Sequence, residues 1–573
     1  MRTITLLLSV YLVISGSGPA DISGSDMDSG PIRYNQVGYY PQSIKEFCLA
    51  DKQAESFKIT DENGQTVLTG TLVNEGRWDA SGEVILSGDF SELRDPGTYT
   101  ILVEPGMQSA LFEISGDVLS KALDGSIKSY YYQRASMPIE EQYGGIYQRA
   151  AGHPDDACSY HPSTGREEGK RNSPGGWYDA GDYGKYVVNA AISAGQMLNL
   201  LELYPGTVED GRLNIPESGN GISDLMDEIM YELSWVETMQ DDDGGVFHKL
   251  TAKNFAPFIM PAEYDMERYI IGKGTIASLN FAAVMAQASR VYGEVDPDWS
   301  DAALSAAERA WDWAAVNNSL AFRNPGDVRT GEYGDNEFSD DFYWAAAELY
   351  VTTGKEKYLD YLVQHEEPYI HQLTNSWKFF IRNMGFHTLL AHSDKLEEEY
   401  AESLKKKHLE LADQILSAME SIPYHSGIDY FEWGSNSDVL NQAMILCYAH
   451  HISGEQKYLD GVIRNTDYIF GKNATGYCFL TGFGSKHVMN PHHRPSGADG
   501  IEEPVPGFIV GGPNKDKQDR QQVEYASDMP AKAFEDVEAS YASNEVCLNW
   551  NAPAVFVLAY LEQVCGNRQA EEE

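Results

Sequence analysis

The sequence predicts a mainly α protein in which a small β-sandwich precedes a long helical domain. Between residues 31 and 115, short runs alternate apolar and polar residues, as β-strands with one buried face do. From residue 116 to residue 566, apolar residues instead recur at the spacing of amphipathic helices. The chain has 573 residues, which is too many for one compact core and also favours separate domains.

The first domain, residues 31–115, is predicted to be an immunoglobulin-like β-sandwich. Its alternating runs include Ser56–Thr60, Glu83–Leu86 and Thr98–Val103, and turn sequences such as Asp95-Pro96-Gly97 separate them. Several short strands at regular spacing, joined by turns that contain Gly and Pro, are typical of such sandwiches.

The second domain, residues 116–566, is predicted to be an (α/α)6 barrel. Long loops at 141–178, 241–272 and 471–540 interrupt its helical pattern. A helical bundle has short loops, whereas loops of this length inside a compact domain are usually functional. The predicted helices are Leu119–Ala135, Tyr186–Tyr204, Asp224–Met239, Thr275–Tyr292, Asp301–Val316, Asp341–Thr353, Lys355–Leu373, Leu396–Met419, Asp438–His450, Tyr458–Phe470 and Asn549–Val564.

Residues 1–20 are predicted to be a secretory signal peptide. One early arginine precedes an apolar run from Ile4 to Ile14, and small residues end the segment. Residues 21–30 are mostly Gly, Ser and Asp and are predicted to be a flexible linker. No later stretch reaches transmembrane length, so we expect a secreted or periplasmic protein without membrane insertion.

The formal net charge of −45 restricts the partners of the protein. It argues against nucleic acid and against anionic membranes as partners held by charge, and an acidic polysaccharide would be repelled. A neutral polymer or a cation is compatible with this field. The six cysteines are scattered without a C-x-x-C pair, so the sequence indicates neither a redox motif nor a zinc ribbon.

The most informative motif is the run from Trp177 to Asp182, which places two carboxylates three residues apart. At this spacing, near the start of a helix, Asp179 and Asp182 lie side by side. Paired carboxylates beside large aromatic rings are what cleavage of a sugar–sugar bond needs. The alternative is that these aspartates only cap the helix that follows.

Two further motifs near the C-terminus carry groups suited to the same chemistry. Glu545 precedes an apolar helix, where the helix dipole alone would also favour a carboxylate. The Gly- and Pro-rich loop that contains His492, His493 and Arg494 suits hydrogen bonding to hydroxyl groups. This loop lacks the ligand spacing of a metal site, and the alternative is a structural loop held by Arg494.

Taken together and in their order along the chain, the three motifs resemble those of glycoside hydrolase family 9, the inverting cellulases that carry an N-terminal immunoglobulin-like domain. The resemblance extends from about Ile32 to Leu561 and implies three catalytic residues. Glu545 matches the general acid, Asp182 the general base that deprotonates water, and Asp179 the partner that helps to hold this water. An inverting reaction needs room for the water, so the carboxyl groups of acid and base should lie roughly 6.5–9.5 Å apart.

The resemblance also implies a set of sugar-binding residues. His492 and Arg494 match the family's sugar-contacting His-x-Arg. Trp177 and Trp344 are left open between substrate contact and the protein core, where large aromatic residues are common. Four further residues fall in or near matching motifs and are expected to bind substrate: Trp433, Tyr541, Trp550 and His248.

We expect no required cofactor and no catalytic metal. The acidic run Asp241-Asp242-Asp243 would suit a structural calcium ion, although a solvated acidic loop is the commoner meaning of such a run. Some relatives with this N-terminal domain bind zinc ahead of the aspartate motif, but residues 152–161 lack the expected adjacent Cys-His pair. Cys478 and Cys547 depart from the family's usual residues, which leaves a disulfide bond between them open.

The leading hypothesis is an exported, inverting endo-β-1,4-glucanase that acts on cellulose, mixed-linkage glucan or the xyloglucan backbone. Its partner would be a neutral β-glucan polysaccharide or oligosaccharide, and we expect a monomer. An alternative within enzymes is an exo-acting cellodextrinase, β-glucosidase or glucosaminidase on the same scaffold. A non-catalytic glycan-binding protein is a third hypothesis, which the intact Asp179, Asp182 and Glu545 disfavour.

Overall fold

The computed structural model describes residues 30–166, 169–365 and 381–566. The predicted signal peptide 1–20 and nearly all of the predicted linker 21–30 lie outside the described residues, as does the end of the predicted helix Lys355–Leu373. Within the described ranges, no helix combines the length and the apolar character that crossing a membrane requires.

An antiparallel β-sandwich forms the N-terminal part of the described chain. Alternate residues face its core, so that Phe57 and Ile59 are buried while Ser56 and Lys58 are exposed. Its strands are β1 (Ile32–Arg33), β2 (Glu46–Ala50), β3 (Ser56–Asp61), β4 (Thr66–Trp78), β5 (Glu83–Asp89), β6 (Gly97–Val103), β7 (Met107–Gln108) and β8 (Phe112–Ile114). They pair in the order β1-β2-β5-β4-β3-β6-β7, and β8 pairs with β6.

Paired helices build the rest of the protein as the predicted (α/α)6 barrel. The described helices are α1 (Ser120–Gln133), α2 (Glu141–Gly144), α3 (Val187–Leu203), α4 (Asp224–Thr238), α5 (Thr275–Val291), α6 (Pro297–Val316), α7 (Ser339–Thr353), α8 (Glu356–Gln364), α9 (Arg382–Ala391), α10 (Glu398–Glu420), α11 (Ser435–Ser453), α12 (Gln456–Ile469), α13 (Arg494–Ala498) and α14 (Leu548–Cys565). The inner helices α3, α5, α7, α9, α11 and α14 are almost entirely buried. Small side chains such as Ala345, Ala346 and Ala347 let these inner helices pack closely.

A small mixed sheet is an addition to the predicted fold, and two of the predicted long loops supply most of its strands. Its strands are β9 (Cys158–Tyr160), β10 (Lys170–Arg171), β11 (Lys185–Tyr186), β12 (Phe247–Thr251) and β13 (Tyr269–Lys273), in the order β10-β9-β13-β12-β11. Short strands whose partners are far along the chain leave no local alternation to detect. The inner helix α9 was not predicted either, because its ten residues are too few to show a clear helical periodicity.

Helix α6 begins earlier than predicted because its first turn is capped. The Trp299 N–H donates to the side chain of Asp296 at 3.0 Å, and Pro297 occupies the first helical position. An Asp N-cap followed by Pro is a favoured helix start. The helix therefore starts at Pro297 instead of Asp301, which the apolar spacing alone had suggested.

Ion pairs and aromatic contacts join the β-sandwich to the barrel. Glu46 on β2 pairs with Arg464 on α12 at 2.9 Å and with Lys472, just after α12, at 3.0 Å. The ring of Trp78, at the end of β4, lies 5.4 Å from that of Tyr424. The sandwich is therefore packed against the barrel through both charged and apolar contacts.

Candidate active site

A cleft of about 820 Å³ opens where the inner helices begin. The segments that lead into α3, α7, α11 and α14 supply much of its wall. Seven of the nine predicted site residues line this cleft: Asp182, Trp433, His492, Arg494, Tyr541, Glu545 and Trp550. The fold thus brings together side chains that are up to several hundred residues apart in sequence.

Asp179 and Asp182 lie in a buried turn ahead of α3. The Gly184 N–H donates to Asp182 Oδ2 at 2.9 Å, and the Asp179 N–H donates to the Gly184 carbonyl at 2.9 Å. Helix α3 begins only at Val187, with Tyr186 as its N-cap residue. The two aspartates therefore lie upstream of the first helical turn, which excludes the alternative that they only cap this helix.

Gly181 lets the turn that carries Asp179 and Asp182 approach the loop around His492. A Cβ atom at this position would lie 1.9 Å from the His492 carbonyl oxygen, closer than any side chain can be accommodated. The Arg494 N–H donates to the Gly181 carbonyl at 3.1 Å, and its guanidinium Nη1 donates to the same oxygen at 2.6 Å. The glycine in the motif is therefore required by packing between two parts of the site.

Two hydrogen bonds hold the carboxylate of Asp179. Asn189 Nδ2 donates to Oδ1 at 2.8 Å, and the Tyr333 hydroxyl donates to Oδ2 at 2.6 Å. Burial and the nearby Asp182 raise the pKa of Asp179 to about 7, while these two donors act in the opposite direction. Asp179 is therefore close to its titration midpoint at neutral pH. Asn189 and Tyr333 favour its ionised form, whereas burial and Asp182 favour its protonated form.

Short bridges between loops position Glu545. Glu545 forms an isolated β-bridge with His492. Cys547, two residues later, forms another with Ala180, which lies between Asp179 and Asp182. Burial raises the pKa of Glu545 well above its usual value, and Asp182 adds to this effect more strongly than Asp179 does. These effects favour the protonated form of Glu545, which is the form that can donate a proton.

His492 and Arg494 combine a place in the cleft wall with structural contacts. His492 Nδ1 lies 2.6 Å from the Glu538 carbonyl, which can only accept, so Nδ1 carries a proton. Burial lowers the pKa of His492 to about 4, so the ring is neutral and its Nε2 can accept a hydrogen bond. Arg494 Nε donates to the Ala256 carbonyl at 2.8 Å, so this guanidinium also holds two parts of the wall together.

The aromatic residues fall into two groups. Trp433 is 43% exposed, and its ring centroid lies 5.6 Å from that of Tyr541 in the cleft, where Trp550 also lies. Such rings can stack on the apolar face of a sugar. Trp177 and Trp344 are 1% and 0% exposed, so both belong to the protein core.

The structure places His248 behind the cleft wall instead of in the cleft. Its ring stacks on Phe322 with centroids 3.8 Å apart, and its Nε2 donates to the Glu332 carbonyl at 2.9 Å. It therefore supports the loop that presents Tyr333 to Asp179. Tyr333 itself was not predicted, because only the folding of its loop brings the Tyr333 hydroxyl to Asp179.

The acidic run 241–243 does not fit the calcium site that its sequence allowed. Asp241 and Asp242 pair with Arg166, and Lys273 pairs with Asp241 at 2.5 Å and with Asp243 at 2.9 Å. Two cationic side chains thus occupy the place of a cation. In residues 30–166, 169–365 and 381–566, no group of three or more His, Cys, Asp and Glu side chains is arranged to hold a metal ion.

The segment 152–161 is held by protein cations. Asp155 pairs with Lys185 at 2.9 Å and with Arg268 at 2.7 Å, and all three side chains are almost fully buried. Cys478 and Cys547 are both free thiols, so the disulfide bond that the sequence left open is not formed.

A barrel of paired helices whose cleft combines a glutamate and an aspartate with exposed aromatic rings has the architecture of a glycoside hydrolase. The family model described as Glycosyl hydrolase family 9 matches residues 120–558. The model described as Cellulase N-terminal ig-like domain matches residues 28–107. The chain belongs to glycoside hydrolase family 9.

Individual relatives match nearly the whole chain. A xyloglucan-specific endo-beta-1,4-glucanase of Bacteroides ovatus is 39% identical over 97% of this chain and 98% of that protein. Endoglucanase D of Acetivibrio thermocellus is 32% identical over 97% of this chain and 86% of that protein. The solved structure of Bacteroides ovatus GH9 has a TM-score of 0.86 at 39% identity and covers 93% of this chain and 99% of that chain.

Proposed function

We propose that the protein is an inverting endo-β-1,4-glucanase that acts outside the cytoplasm. The observation that carries this proposal is that Glu545, whose pKa is raised well above its usual value by desolvation and by Asp182, lines one cleft with Asp182. Relatives named as endoglucanases over nearly the full length of the chain support the choice of a β-1,4-glucan.

The proposed reaction uses the three carboxyl groups in separate roles. Glu545 gives its proton to the glycosidic oxygen as the bond from this oxygen to the anomeric carbon breaks. A water molecule attacks the anomeric carbon from the opposite face and gives its proton to Asp182. Asp179, held by Asn189 and Tyr333, accepts a hydrogen bond from this water and fixes its direction. The configuration at the anomeric carbon is thereby inverted from β to α, and the product carries its new hydroxyl in the α configuration.

The proposed substrate is a neutral β-glucan, since the net charge of −45 would repel an acidic polymer. A xyloglucan backbone is the second candidate, because the relative that is 39% identical is named as xyloglucan-specific. The proposed chemistry needs only carboxyl groups and water, so we propose that no cofactor is required. We further propose that the enzyme acts as a monomer.

The test is a product time course on hydroxyethylcellulose, xyloglucan, cellohexaose and chitosan oligomers. Endo action predicts a rapid fall in viscosity, whereas monomer or dimer from the first minutes would indicate exo action. We expect the variants Asp182→Ala and Glu545→Gln to lower kcat about 10²–10⁴-fold, with a much smaller change in KM. Full activity after either substitution, or no turnover of any substrate by the wild type, would contradict the proposal.

A control for these variants is Met266→Ala, because Met266 is exposed between β12 and β13 and does not line the cleft. This variant should retain the kcat of the wild type on each substrate. A comparable loss in the control would mean that the loss of activity is not specific to the two carboxyl groups.

A further inference from the structure

An exposed phenylalanine lines the cleft at a position outside the catalytic motifs. Phe255 lies between β12 and β13 and is 46% exposed. Among the described cleft residues, Phe255 and Trp433 are the large apolar side chains that are most open to solvent. Exposed apolar surface inside a ligand cleft indicates ligand contact more strongly than the same exposure elsewhere.

A row of neighbouring rings extends along the cleft from Trp433. The ring centroids are 5.6 Å apart for Trp433 and Tyr541, and 6.0 Å apart for Tyr541 and His492. The next ring is that of Phe258, 5.1 Å from His492. We call these four residues the aromatic row.

Arg494 connects Phe255 to the end of the aromatic row. Its guanidinium carbon lies 5.4 Å from the ring centroid of Phe258 and 5.8 Å from that of Phe255. A cation at this distance attracts a ring face and so favours one orientation of the ring. Phe255 is therefore linked through Arg494 to Phe258, the last member of the aromatic row, whereas Trp433 is the first member.

The backbone that carries Phe255 is anchored on both sides. Carbonyl groups before and after this residue accept hydrogen bonds from side chains or backbone of other segments. The pairs are Arg329 N–H with Lys253 at 2.7 Å, the Tyr264 hydroxyl with Asn254 at 2.7 Å, Arg494 Nε with Ala256 at 2.8 Å and the Tyr183 hydroxyl with Ile259 at 2.6 Å. A ligand that stacks on Phe255 therefore meets a surface that needs little ordering, which favours binding.

We propose that Phe255 is a stacking platform for a glucosyl unit in the cleft, at the Phe258 end of the aromatic row. The C–H faces of a β-linked pyranose are apolar, and a phenyl ring offers such a face a flat partner while leaving the hydroxyl groups at the ring edge in water. Phe255 then determines how strongly long chains bind. This inference rests on the proposed function, because it takes a β-glucan as the ligand of the cleft.

The test is calorimetric binding of cellohexaose and cellobiose in the Glu545→Gln background, so that the ligand is not cleaved. Adding Phe255→Ala should weaken cellohexaose binding about 5-fold and cellobiose binding less than about 2-fold. Phe255→Tyr should retain the affinity of the background variant, because it keeps the ring. Met266→Ala, equally open to solvent but outside the cleft lining, should change neither Kd.

An unchanged Kd for cellohexaose after Phe255→Ala would overturn the platform, as would an equal loss for Phe255→Ala and Phe255→Tyr. If the wild type fails to cleave cellohexaose while Phe255→Ala still weakens its binding, the proposed hydrolysis is wrong and the platform stands. If the wild type cleaves cellohexaose and Phe255→Ala leaves binding unchanged, the hydrolysis stands and the platform is wrong.

Discussion

At the level of single residues, the protonation state of Asp179 decides whether the water in the proposed reaction has two carboxylate partners. Burial and the charge of Asp182 raise the pKa of Asp179 to about 7, and the Tyr333 hydroxyl and Asn189 counteract this rise. Without these donors, Asp179 would keep its proton at neutral pH and would accept the water's hydrogen bond poorly. The two donors are therefore positioning residues for the proposed reaction.

The variant Tyr333→Phe removes one of these donors and leaves the ring in place. Loss of a hydrogen bond to the ionised carboxylate should raise the pKa of Asp179 further, by about one unit. The acid limb of the kcat/KM profile should then move to higher pH by a similar amount. Tyr350→Phe, at the far end of α7, is the control and should leave the profile unchanged. A Tyr333→Phe profile that superimposes on that of the wild type would contradict this role.

The same residues show what could be predicted from the sequence. The motifs around Asp182 and Glu545 are local and specific, so these two residues could be predicted from the sequence alone. Tyr333 was not predicted, because its contact with Asp179 depends on how two loops fold against each other. His248 was expected in the cleft because its loop matches the family, yet the ring of Phe322 covers it.

At the scale of elements, the contact between β2 and α12 joins the sandwich to the barrel. Burial opposes ionisation of Glu46, but Lys472 and Arg464 outweigh burial and lower the pKa of Glu46 to about 2. Lys472 is 1% exposed, so it would remain as a buried cation without its partner if Glu46 were neutral. Breaking such a buried pair is costly, whereas an exposed pair contributes little.

The variant Glu46→Gln should lower the free energy of unfolding by about 2–3 kcal/mol at pH 7. A carboxylate with a lowered pKa stabilises the folded state above the unfolded-state pKa, which is about 4.3 for Glu. This stability is lost as the pH falls toward about 2, so the difference from the wild type should narrow below pH 4. Urea unfolding of the wild type and of Glu46→Gln at pH 7 and at pH 3 measures this difference in the free energy of unfolding.

The control is Glu410→Gln, which removes an exposed partner of Lys406 on α10. It should change the free energy of unfolding by less than about 0.5 kcal/mol. Equal effects of Glu46→Gln at both pH values would contradict the role of its ionised form.

Some helices and strands could be predicted from the sequence, whereas others could not. Helices such as α3 and α5 were predicted nearly to the residue, because apolar periodicity is a local signal. The sheet β9–β13 was not predicted, because its strands are short and some pair with distant segments, as Ser159 of β9 does with Tyr269 of β13. Pairing over such distances is a property of the folded chain.

At the scale of the whole molecule, the net charge of −45 should discriminate between neutral and acidic polymers. Repulsion between the protein and an anionic substrate is long-ranged and is screened by salt, since the Debye length is about 10 Å at 0.1 M ionic strength. We predict that added NaCl lowers KM for carboxymethylcellulose and leaves KM for neutral hydroxyethylcellulose unchanged. Equal salt dependence for the two polymers would contradict a role for the overall field.

In the proposed mechanism, Asp182 and Glu545 act on opposite faces of the sugar, and Asp182 activates the attacking water. The most direct test is proton NMR of cellohexaose hydrolysis, recorded before the anomers of the product equilibrate. We predict that the α anomer of the new reducing end appears first and then converts slowly to the equilibrium mixture. Initial appearance of the β anomer would mean retention through a covalent intermediate and would contradict the account.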